Sequence, residues 1–186
     1  MSETHPPSLA ASLTASIVVD EQGLGNVWPV FGDSALFSSV IQALAAPLRG
    51  VVDKVAGIES RGFVLGAAVA GHLGVGFVAI RKSDGLYPGE TLSARTPADY
   101  RGREHVFRLQ RAAVNPGERI ALVDDWFETG NQGLIGRQLL EDAGAVYAGA
   151  SIIIDQLSDE RRNELAPCHS LLASAALERP TPHRAQ

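Results

Sequence analysis

The chain has 186 residues, enough for one domain with a substantial core and no need of covalent staples. A hydrophobic share of 45% with 20% charged residues is that of a soluble globular protein, and no apolar run reaches the roughly 18 to 20 residues of a membrane span. The net charge of -5 argues against broad, unspecific nucleic-acid binding, and the single Cys168 excludes an internal disulfide and a cysteine zinc cluster. The opening "MSETHPPSLA" lacks the basic stretch of a secretory signal, so a cytoplasmic protein is the expectation.

After a polar, proline-containing start, "SALFSSVIQALAAPLR" from Ser34 predicts a helix capped by Asp33 or Ser34. "DKVAGI" follows as a strand, "SRGFVLGAAVAGHLG" as a helix with Gly74 beyond its end, and "VGFVAIRK" as a second strand. Residues 83 to 103 are rich in Gly, Pro, Ser and charge and predict one long mobile loop, a feature that usually serves function. "HVFRLQ" predicts a strand, "NPGE" a turn and "RIALV" another strand. "GLIGRQLLEDAGA" predicts a helix with Ile135 and Leu139 on one face, and "YAGASIIID" closes the series as a buried strand. The last residues, about 178 to 186, are expected to form a disordered tail, and no internal repeat is read. Strands alternating with helices give a single domain over 1–186, an open α/β sheet that is mostly parallel and flanked by helices.

Ligands of such sheets bind beyond the carboxyl ends of the strands, where loops meet helix N-termini. "IESRG" at 58–62 and "DDWFETGNQ" at 124–132 both fall there. Free N–H groups at a helix start attract phosphate, whereas two adjacent aspartates repel it. The combination makes sense if the acids face sugar hydroxyls while Thr129 and Gly130 wrap the sugar's phosphate, which asks for a ribose phosphate. Taken alone, each motif has a plainer reading. The acid pair reads as a turn or helix cap, Ser60-Arg61-Gly62 as a capped helix start with a solvated Arg, and Arg81-Lys82 as surface charge at a strand end.

Taken together, "VAGIESRGFVLGAAVAGHLGVGFVAIRK", "YPGETL" and "NPGERIALVDDWFETG" resemble the type I phosphoribosyltransferases, most closely the adenine phosphoribosyltransferase branch, over about Trp28 to Ile154. The resemblance implies that family's fold, with about residues 1–32 as an N-terminal hood segment. It also implies transfer of 5-phosphoribosyl from phosphoribosyl pyrophosphate to a purine or purine-like base, Mg²⁺ accompanying the phosphoribosyl pyrophosphate, and a homodimer. It assigns Asp124 and Asp125 to the ribose hydroxyls, and Thr129, Gly130, Asn131, Gln132 and Gly133 to the 5'-phosphate. Glu59, Ser60 and Arg61 form the pyrophosphate loop, with a cis peptide at Glu59-Ser60. Arg81 and Lys82 reach pyrophosphate in the partner subunit's site, and Asp99 with Tyr100 stands where the branch has an acid and a Tyr in its flap.

The chain also departs from that branch. Glu128 replaces a small residue, Asn131-Gln132 replaces Gly-Thr, and Gly25-Asn26 stands where the hood carries Arg-Asp. Glu128 reads either as a general base like the acid of the 6-oxopurine branch or as a solvated loop residue. With Trp126 as the aromatic surface against the base and Glu128 as an acceptor, a 6-oxopurine or an unusual heterocycle is expected over adenine. A second reading stays open: a phosphoribosyltransferase-fold module that binds phosphoribosyl pyrophosphate or a nucleotide for regulation, with catalysis lost through the altered loop.

Overall fold

The computed structural model describes residues 7–20, 25–82, 88–96 and 105–177. Its centre is a seven-stranded sheet built from β3 (Lys54–Ile58), β4 (Gly76–Lys82), β5 (Thr91–Arg95), β6 (Val106–Gln110), β7 (Arg119–Phe127), β8 (Val146–Asp155) and β9 (Cys168–Ala173). The strand order is β5-β6-β4-β3-β7-β8-β9. The pairings of β3 with β4 and β7, of β7 with β8 and of β8 with β9 are parallel, and only β6 pairs antiparallel, with β4 and β5. The expected mostly parallel α/β sheet is therefore present.

Alternation along the strands divides the core in two. Val55, Ala121, Val123 and Ile153 face the helices α3 (Ser34–Ala45) and α4 (Arg61–Leu73), packing with Val40, Leu44, Leu65 and Val69. Ala56, Ile120, Leu122 and Ile152 face the other way, against Leu139 and Leu140 of α5 (Asn131–Asp142). Asp33 caps α3, its Oδ1 accepting from the N–H groups of Ala35 and Leu36 at 2.9 Å. The helix ends at Ala45, and a 3₁₀ turn over Ala46–Leu48 carries the chain through Pro47, so the expected single helix to Arg49 is shorter. Gly74 ends α4 in the left-handed conformation, as its position suggested.

Three other expectations are corrected. The stretch read as one loop from 83 to 103 contains β5, an edge strand whose Leu92 and Ala94 turn inward while Thr91, Ser93 and Arg95 are exposed. Residues 83–87 and 97–104 lie outside the described part. The strand expected to stop at Val123 continues to Phe127, because pairing with β8 persists through Asp124↔Ile152 and Trp126↔Ile154. The acid pair is therefore within a strand. β8 does not close the fold: α6 (Asp159–Glu164) and β9 follow, and Leu177 is buried. The N-terminal segment is structured too, with α1 (Leu9–Ser16), α2 (Trp28–Gly32) and a two-stranded antiparallel pair of β1 (Val18–Val19) and β2 (Gly25–Asn26).

Candidate active site

A cavity of about 440 Å³ opens where the C-terminal ends of β3 and β7 meet the N-termini of α4 and α5. The first wall is the loop after β3. Its Glu59–Ser60 peptide is cis. The Glu59 N–H donates to the Ile80 carbonyl, and its Oε2 accepts from the Lys82 N–H at 2.9 Å, tying the loop to the end of β4. The loop also rests directly on the sheet: a Cβ on Gly57 would collide with the Gly62 carbonyl, and one on Gly66 would lie 2.8 Å from the Phe77 ring. Ser60 stands at the N-cap of α4 without a capping side-chain bond, which leaves its hydroxyl available to a ligand.

Opposite lie the acids. Asp124 is buried, and its Oδ1 accepts from the Asp125 N–H at 2.9 Å. Burial, and then the Asp125 carboxylate, push the Asp124 carboxyl well above the usual aspartate range. Asp125 is buried as well, with its Oδ2 3.0 Å from Arg61 Nε. That distance is an ion pair, yet the N–H is not aligned on the oxygen, and Oδ2 receives no hydrogen bond. The oxygen is an acceptor with capacity to spare, covered by the Arg61 guanidinium in the ligand-free protein. Burial lowers the Lys82 pKa, while the carboxylate of Asp124 partly restores it.

The phosphate end is formed by the start of α5. Gly130 holds φ 77° at its N-cap, a conformation natural to glycine, and turns the chain so that the first helical N–H groups face the cavity end. Thr129, Gly130, Gln132 and Gly133 line the cavity; Asn131 does not, and its N–H is 3.4 Å from Thr129 Oγ1.

The third region is apolar. Trp126 and Trp28 line it with Gly25, Glu128 and Gln156. The Trp126 indole N–H donates to Gln156 Oε1 at 3.1 Å. Trp28 is 55% exposed and packs edge-on against Phe31.

Of the residues singled out in the sequence, Glu59, Ser60, Arg61, Lys82, Asp124, Asp125, Trp126, Glu128, Thr129, Gly130, Gln132 and Gly133 share this one cavity. Lys82 thus faces the cavity of its own chain, where a place in a partner's site was expected. Arg81 lines no part of it; its Nε is 3.7 Å from Glu59 Oε2 on the neighbouring side of β4. Asp99 lies outside the described residues. Gly25 lines the cavity in the segment read as the hood, and Trp28, Phe127 and Gln156, not named as site residues from the sequence, line it too; the aromatic character of Trp28 and Phe127 offered a signal, that of Gln156 none. Among the described residues no group of three or more His, Cys, Asp and Glu side chains is arranged to hold a metal by itself, and no helix is long and apolar enough to cross a membrane.

No family model matches the chain. It is 42% identical to the adenine phosphoribosyltransferase of Cereibacter sphaeroides (strain ATCC 17025) over 131 residues, which are 70% of this chain and 72% of that one. The adenine phosphoribosyltransferase of Rhodothermus marinus superposes with a TM-score of 0.78 at 31% identity, covering 89% of this chain and 98% of its own. The Saccharomyces cerevisiae enzyme, crystallised with an imino-altritol bisphosphate and adenine, gives a TM-score of 0.78 at 29% identity, covering 88% of this chain and 98% of its own. With the cis loop, the acid pair and the glycine-led helix in one cavity, this likeness identifies the chain as a member of the adenine phosphoribosyltransferase family, with the type I phosphoribosyltransferase fold.

Proposed function

We propose that this protein, as a cytoplasmic homodimer using Mg²⁺, transfers 5-phosphoribosyl from phosphoribosyl pyrophosphate to a purine or purine-like base and releases pyrophosphate. The observation that carries the reading is the convergence on one cavity of a buried acid pair, two cations and a helix N-terminus, in a chain 42% identical to an adenine phosphoribosyltransferase. Asp124 and Asp125 would accept hydrogen bonds from the ribose hydroxyls, and the first N–H groups of α5 with Thr129 would hold the 5'-phosphate. The bond from C1' to the pyrophosphate oxygen breaks with its electron pair leaving on the oxygen, while a ring nitrogen of the base bonds to C1'. Arg61 and Lys82, at the same end as the 58–62 loop, would stabilise the charge gathering on pyrophosphate. Mg²⁺, when bound, would neutralise the pyrophosphate charge, and Asp124 and Asp125, hard oxygen donors lining the cavity, would be the residues to hold it. Glu128, exposed at the cavity rim, would take the proton that the base nitrogen loses.

Arg81 supports the homodimer: it follows Ile80 at the end of β4, beside the cavity and outside its lining, where a guanidinium could serve a second subunit. A cytoplasmic location follows from the substrate, since a multiply charged sugar phosphate does not cross a bilayer. The test is pyrophosphate release from phosphoribosyl pyrophosphate and Mg²⁺ with a panel of bases. Release dependent on a base supports transfer. Binding of phosphoribosyl pyrophosphate with no release for any base returns the regulatory module.

A further inference from the structure

Gln156 follows the last residue of β8 and is held on every side. Its backbone N–H donates to the Phe127 carbonyl at 3.0 Å. The buried Asp155 before it accepts from the Leu157 N–H at 2.8 Å and from Arg162 Nε at 2.8 Å. Its side chain is fixed as well. An indole N–H is a donor only, so the amide atom that faces Trp126 Nε1 must be the oxygen. The amide nitrogen is then the end left over, and it has no partner among the described residues. Among those residues only Asp125 Oδ2 is both buried and unpartnered, so this nitrogen has accessible surface, on a residue that lines the cavity. Glu128, which lines the same cavity, has a carboxylate with no hydrogen bond or ion pair among the described residues. The cavity therefore offers one oriented donor and one free acceptor among linings that include two indoles.

On the reading that the cavity is a phosphoribosyltransferase site, we propose that Gln156 is a specificity-determining residue of the base subsite, donating its amide N–H to a carbonyl oxygen on the ring, so that a base with an oxo group and a ring N–H is preferred over an amino base. The ring stacks on Trp126, the oxo group accepts from Gln156, and a ring N–H meets Glu128. An exocyclic amino group in place of the oxo group sets donor against donor, and a rigid donor left unpaired in a desolvated site penalises that ligand. Trp126 acts as the positioning residue, because its N–H dictates which end of the amide faces the ligand.

The experiment exploits an isostere and a built-in reporter. Glu at 156 keeps an acceptor for the Trp126 N–H and replaces the free donor with a second acceptor. Wild-type protein and Gln156→Glu are assayed with hypoxanthine, guanine and adenine, phosphoribosyl pyrophosphate and Mg²⁺, for kcat/KM. The chain's two tryptophans both line the cavity, so quenching of intrinsic fluorescence reports base binding independently of turnover. The wild type should favour the oxo bases in both readouts, and Gln156→Glu should shift the oxo-to-amino ratio toward adenine by about tenfold or more. Gln156→Leu, which adds no charge, serves if the Glu variant fails to fold, and should lower the ratio through loss of oxo-base binding. A wild type that prefers adenine, or a ratio unmoved in a folded variant, overturns the proposal while leaving phosphoribosyl transfer intact. If the wild type turns over no base, the transferase reading fails, and the quenching ratio alone decides the role of Gln156: a ratio that moves supports it and one that does not overturns it.

Discussion

Gly25 of β2 faces the six-membered edge of the Trp126 indole so closely that a Cβ there would overlap ring carbon Cζ3. The N-terminal strand pair and the end of β7 thus fit together only because residue 25 has no side chain. Gly25→Ala should push the indole from its place and break its bond to Gln156. Overpacking of this kind costs about 1–3 kcal/mol. The base KM should rise tenfold or more with little change in the KM for phosphoribosyl pyrophosphate; an equal rise in both would show that Trp126 does not belong to the base end alone.

The acid pair makes a pH-dependent prediction. The native carboxyl of Asp124 is held above its ordinary value of 3.8, first by burial and then by Asp125. The stability it confers is complete below that value, where the carboxyl is protonated in both states, and is lost as pH rises through the elevated native pKa. In the ligand-free protein, Asp124→Asn should flatten this slope and raise Tm near pH 7.5, at roughly 2–4 °C for each kcal/mol regained. The amide oxygen can still accept from the Asp125 N–H. Asp124→Asn combined with Asp125→Asn should abolish turnover and leave a folded protein, which melting curves at several pH values and pyrophosphate release will check together. Normal turnover by the double variant would sink the ribose assignment.

Gly130 opens α5 at φ 77°, and a Cβ on it would lie 2.9 Å from Leu157 Cδ2. Gly130→Ala therefore combines an unfavourable left-handed residue with crowding, a loss of about 1–3 kcal/mol. Because the first N–H groups of α5 turn with it, the KM for phosphoribosyl pyrophosphate should rise more than the base KM. Denaturant melts paired with steady-state kinetics measure both effects.

Arg81 tests the homodimer. Arg81→Ala and Asp125→Asn should each be inactive, and mixing them under conditions of subunit exchange should restore activity, because a hybrid dimer would hold one intact site. No recovery despite demonstrated exchange would confine both residues to one chain's site or remove Arg81 from it.

What the sequence made legible depended on the range of the interaction. Asp33 as a cap, Gly74 as a helix end and the strand-to-helix turns at Ser60 and Gly130 are local devices, written within a few residues. The run past Val123 to Phe127 was hidden because Asp is poor in isolated strands, and only the parallel partner β8 keeps it extended. β5 was hidden by the Gly, Pro and Ser around its short alternation. Gln156 looked like any polar residue after a buried strand; its role depends on an indole thirty positions away, which no local pattern contains. The same is true of Gly25, whose meaning is the distant ring that fills its side-chain space.

The seam of Gly57, Gly62 and Gly66 has a consequence for how the protein comes apart. With α4 and the 58–62 loop lying on the β3 backbone and against the Phe77 ring, the loop cannot loosen without lifting the helix whose Leu65 and Val69 are part of the core. Ligand loops commonly open at a small fraction of the global free energy, but this one shares its contacts with the core. The hydrogen-bonded amides of Glu59, Phe63, Leu65 and Gly66 should exchange only through whole-molecule unfolding, and heat should extinguish activity and structure at the same temperature, with no inactive but folded form between them.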